Sequence, residues 1–61
     1  MDNQEMRRIK EQLEIVDWKI AFKTGVRYDT IVDFFKGKTD ELDPVCRRKI
    51  EEMLIKEQKN K

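Results

Sequence analysis

The sequence predicts an all-α fold, a compact four-helix domain, on three observations. Apolar residues recur three and four positions apart along most of the chain. Only two glycines and one proline interrupt 61 residues. Charged residues make up 44% of the chain and fall between the apolar positions, as on the solvated faces of amphipathic helices. A chain this short buries only about 60% of the surface it exposes unfolded, so the core must be small and fully used.

The first helix opens at "DNQEMRRIKEQLEIV", where Asp2 stands three residues before Glu5 in a capping-box-like start. Met6, Ile9, Leu13 and Val16 then form one apolar stripe. Asp17 is the expected cap of a second helix, "WKIAFKT", with Ile20 and Ala21 facing inward. Gly25 ends it, because glycine adopts positive φ without a Cβ clash, and Val26 follows as a buried turn residue. A third helix, "YDTIVDFFK", turns Ile31, Phe34 and Phe35 to one side and stops at Gly37. After the polar connection "KTDELD", Asp43 and Pro44 supply an acid cap and a first-turn proline. The last helix, expected over residues 44–57, carries Cys46, Ile50, Met53 and Leu54 inward, and residues 58–61 are expected to fray.

Composition excludes several classes of function. With one cysteine and no histidine, a zinc site and an internal disulfide are ruled out, and no cofactor is expected. The commonest general base is missing and a short helical chain offers little room for a deep pocket, so no enzyme is expected. No apolar run approaches a membrane span and "MDNQEMRRIKEQ" has no apolar signal region, so a cytoplasmic protein with no membrane partner is expected. Cys46 reads as a small core residue. Net charge is +1, but residues 17 to 38 carry five positive and three negative side chains, the only net basic third.

Two short helices joined by a glycine-containing turn form a helix-turn-helix unit, whose second helix can enter the DNA major groove. Residues 17–36, "DWKIAFKTGVRYDTIVDFFK", resemble the helix-turn-helix of the Cro and lambda-repressor-like family through Ile20, Ala21, Gly25, Val26, Ile31 and Phe34. "FFKGKT" is similar to the segment that ends the recognition helix in phage repressors and lac-repressor-type headpieces, and "DPVCRRKIEEML" resembles the last helix of the latter. The resemblance covers residues 6 to 54. It implies a sequence-specific DNA-binding transcriptional regulator of phage or mobile-element kind, lambda-repressor-like in fold. The implied partners are double-stranded DNA bearing an operator-like site, with a homodimer or a protein partner as further candidates.

The same resemblance implies Arg27, Tyr28, Asp29, Val32, Asp33 and Lys36 as groove-facing residues. Arg27 suits guanine O6 and N7 or a phosphate, Tyr28 a phosphate or thymine methyl, Val32 a thymine methyl, and Asp29 or Asp33 the cytosine amino group. Lys36 and Lys38 suit phosphate neutralisation. Three residues depart from the family pattern. Asp17 occupies a position where Gln or Ser bonds a phosphate, Arg27 replaces the Ser or Thr cap of the third helix, and Glu14 stands where glycine follows the first helix. The acidic side chains Asp17, Asp29 and Asp33 beside Trp18 and Tyr28 also fit a second function, a helix-turn-helix-shaped protein-interaction module such as an antirepressor or phage-encoded inhibitor.

Other features have plainer readings. Trp18 is expected to be partly buried against the first helix, and Arg47, Arg48 and Lys49 to form a solvated face. Val45 and Ile55 lie outside the last helix's apolar stripe; with Glu52 they read as scattered surface residues or, alternatively, as the rim of a dimer contact.

Overall fold

Asp2 starts the first helix as its spacing predicts, its carboxylate accepting the Glu5 N–H at 2.7 Å. The computed structural model describes residues 1–60, which form α1 (Asn3–Leu13), α2 (Asp17–Thr24), α3 (Tyr28–Phe35) and α4 (Pro44–Lys59), with no strand among them.

Glu14 determines how α1 ends. It adopts φ 55° and ψ 39°, the left-handed conformation usually given to glycine. The Glu14 N–H donates to the Glu11 carbonyl and the Ile15 N–H to the Lys10 carbonyl, each at 3.1 Å, which is the Schellman ending. This reversal corrects the expected apolar stripe. Ile15 turns into the core at 6% exposure, whereas Val16, expected to be buried, is 46% exposed. Since a non-glycine residue strains this conformation, Glu14→Gly should raise stability by about 1 kcal/mol in urea unfolding.

The expected role of Asp17 also needs correction. Val16, not Asp17, occupies the cap position of α2 and makes no side-chain bond there. Asp17 is the first helical residue and turns to α1, pairing with Lys10 at 3.0 Å. At the other end, Gly25 takes φ 75° and its N–H donates to the Ala21 carbonyl at 2.9 Å. Buried Thr24 is satisfied on both sides, its hydroxyl donating to the Ile20 carbonyl at 2.6 Å and accepting the Val26 N–H at 3.2 Å. The chain therefore turns in residues 25–27 with no orphaned hydroxyl.

α3 ends with a second Schellman pattern around Gly37, at φ 84°, with Gly37 donating to Phe34 and Lys38 to Asp33. α4 starts at Pro44 as expected, but Asp43 caps it only through its backbone carbonyl, which accepts the Arg47 N–H at 2.8 Å. Its carboxylate makes no capping bond. Gln58 and Lys59, expected in a frayed tail, continue the helix to Asn60; Lys61 lies outside the described residues.

All four helices feed one core. Met6, Ile20, Ile31, Phe34, Ile50 and Leu54 are fully buried, with Ile9, Ile15, Val26 and Met53 nearly so. Cys46 and Phe35, both expected inside, are half-buried and pack on its margin. The Phe35 ring meets Phe34 edge-on, 5.1 Å between centroids.

Two arginines tie distant segments to this core. Arg7 of α1 donates from Nε to the Phe34 carbonyl at 2.9 Å and from Nη2 to the Thr39 carbonyl at 3.2 Å and the Asp40 carboxylate at 2.8 Å. Its guanidinium also lies 4.7 Å from the Phe34 ring centroid. Arg47 of α4 joins the N-terminal segment, donating to the Asn3 side chain and to the Met1 carbonyl, and pairs with Glu51 at 3.1 Å. These bonds fix α1 against both the end of α3 and the start of α4.

Candidate functional site

The site residues expected from sequence all fall on or beside α3, whose buried side is Ile31 and Phe34. Because 3.6 residues make a turn, burying those two turns Asp29 and Lys36 to the opposite side of the helix. Asp29 is exposed, as are Arg27, Tyr28, Lys36 and Lys38. Val32 and Asp33 are half-buried on the flanks. The helix begins without a side-chain cap, as an arginine at that position predicts: the Arg27 backbone carbonyl accepts the Ile31 N–H at 3.2 Å, and its side chain makes no capping bond. The Arg27 guanidinium instead lies 3.9 Å from the Asp29 carboxylate, both largely in solvent. Such an exposed pair is worth little and separates readily when another partner arrives.

The acid at the start of α2 is held differently. Asp17 and Lys10 are about equally buried, with side-chain exposures of 22% and 21%, so their pair is shielded from solvent more than that of Arg27 and Asp29. The same Lys10 lies 5.4 Å from the Phe35 ring centroid. One lysine thus neutralises the acid and covers the ring next to it.

Trp18 contradicts its expected burial against α1. It is 65% exposed, and Phe22, one helical turn further along α2, is 84% exposed. Residues four apart share a helix face, so the two rings form one aromatic strip on the solvent side of α2. The sequence held that signal, since Trp18 and Phe22 lie opposite Ile20 and Thr24 in a helical projection. Phe22 lies outside the Ala21–Gly25–Ile31 spacing, and its exposure follows from the helical projection alone.

Next to this strip, α2 is bound to α4 by charge. Lys23 donates to Glu57 at 3.1 Å and Lys19 lies 3.7 Å from the same carboxylate oxygen. The Lys23 hydrogen bond, aided by the positive charges of Lys19 and Lys23, holds the Glu57 carboxyl below its ordinary value of 4.5, against a smaller opposing effect of desolvation. A depressed folded-state pKa stabilises the fold above the unfolded value and ceases to do so as pH falls through the folded one. The stability difference between wild type and Glu57→Gln should therefore be constant near neutrality and disappear in acid below pH 4.5, as read by thermal melts across that range.

No helix among the described residues is long and apolar enough to cross a membrane. Compared with family models, curated proteins and solved structures, the chain matches none of them.

Proposed function

We propose that the protein is a sequence-specific DNA-binding regulator in which α2, the turn at residues 25–27 and α3 act as a helix-turn-helix and α3 enters the major groove. One observation carries this reading. Ile20, Val26, Ile31 and Phe34, the apolar positions such a unit uses to lock its helices, are all at most 7% exposed, while Arg27, Tyr28, Asp29 and Lys36 are turned to solvent. Gly25 in the left-handed conformation supplies the tight turn between them.

Charge also supports it. The Asp17 carboxylate, which would repel a phosphate at the start of α2, is neutralised by Lys10. Lys36 and Lys38, exposed at the end of α3, take phosphate contacts; Arg27 and Tyr28, exposed at its start, reach base edges. Asp29 and Asp33 oppose non-specific binding, so discrimination between sites rests on a few base contacts more than on phosphate attraction.

Arg27→Ala and Tyr28→Ala should each weaken specific binding by about 1–3 kcal/mol without changing the fold, since both side chains lie outside the core. Fluorescence titration with a selected duplex measures this. An unchanged dissociation constant in both variants rules out the assignment.

The aromatic strip favours a second reading, a protein-interaction module that keeps the same helical pair. Trp18 and Phe22 bring the kind of large rigid side chains that anchor protein interfaces. Salt separates the two. DNA binding weakens steeply as salt rises, whereas docking on Trp18 and Phe22 responds little.

A further inference from the structure

The outer face of α4 carries a pattern that neither the core nor the α2–α3 unit uses. Val45, Arg48, Glu52, Ile55 and Lys59 are spaced three, four, three and four apart, the repeat of a two-helix seam. All five are exposed, on the side of α4 opposite the buried Ile50, Met53 and Leu54. Val45 is 60% exposed and Ile55 39%. Arg48 and Glu52 are one turn apart, yet neither takes part in an ion pair among the described residues.

We propose that α4 packs against α4 of a second copy of this chain, antiparallel about a two-fold axis at the level of residue 50. An isologous contact of this kind requires a surface complementary to itself. In that register Val45 meets the second copy's Ile55 and Arg48 meets the second copy's Glu52, and each pairing occurs twice. The alternatives fail on charge. A parallel pair sets Arg48 against Arg48 and Glu52 against Glu52. Sliding the antiparallel pair by one heptad sets Arg48 against Lys59 and leaves Glu52 on Ile55. The charges thus select the register while the two aliphatic layers supply the attraction. Lys49 and Lys56 flank the seam with like charge, and only Val45 and Ile55 of each copy bring apolar side chains to it, so the dimer is weak and concentration-dependent.

The experiment is sedimentation equilibrium on the full chain as wild type, Arg48→Glu, Glu52→Arg and an equimolar mixture of the two variants, with circular dichroism to show that each is folded. Both reversed side chains are exposed, so the fold should survive. The wild type should dimerise as concentration rises, and each variant alone should associate at least about tenfold more weakly. The mixture should regain the wild-type association, because the acidic seam of one variant fits the basic seam of the other. A wild type still monomeric at about 1 mM overturns the proposal. So does a mixture that stays monomeric, or single variants that dimerise as wild type does, the last result pointing instead to Trp18 and Phe22.

Discussion

Phe34→Ala should leave the chain largely unfolded at room temperature. Removing a fully buried phenylalanine costs about 3–5 kcal/mol through lost transfer energy and the cavity left behind. A domain of this length has a total stability of about 3–9 kcal/mol. Phe34 is 0% exposed, stacks edge-on with Phe35 and carries the Arg7 guanidinium over its ring, so the loss extends to both neighbours. The core has no second layer to absorb it. Loss of the cooperative thermal transition in circular dichroism is the expected result. A midpoint close to that of the wild type contradicts the placement of Phe34 at the centre of the fold.

Arg7→Met should produce the second largest loss, about 2–3 kcal/mol in urea unfolding. Methionine keeps much of the aliphatic stem but removes the guanidinium that bonds Phe34, Thr39 and Asp40. The two carbonyls matter more than the carboxylate. They belong to the end of α3 and the chain leading away from it, where a cation is favoured; Arg7 adds a second donor to the Phe34 carbonyl, which already accepts the Gly37 N–H, and bonds the Thr39 carbonyl. Asp40 has a side-chain exposure of 75%, so Asp40→Asn should change stability by no more than about 0.5 kcal/mol. Equal losses in Arg7→Met and Asp40→Asn would show that the surface ion pair, and not the carbonyl bonds, holds α1 to α3.

The elements legible in sequence were those marked by local chemistry. Asp2 before Glu5, Gly25, Gly37 and Pro44 each bound a helix where expected, because a cap, a left-handed residue or a fixed φ acts on the backbone next to it. What escaped depended on contacts between segments. Asp17 looks like a cap in isolation and becomes an ion-pair partner only because Lys10 lies across from it. Val16 continues the α1 stripe only if the helix continues, and Glu14 ends it in a conformation that its side chain does not advertise. Arg7 reads as one more charged surface residue until the chain after α3 returns to meet it. In the candidate site, the exposed start of α3 follows from the buried spacing of Ile31 and Phe34, and the solvent exposure of Trp18 and Phe22 follows from their place opposite Ile20 and Thr24 on α2.

The most direct test of DNA recognition by α3 is selection of bound sequences from a random duplex library with the full, folded chain, at low salt and again at physiological salt. An enriched motif that binds less tightly as salt rises, and that Arg27→Ala and Tyr28→Ala no longer select, is the predicted result. Recovery of no preferred sequence at either salt would contradict it.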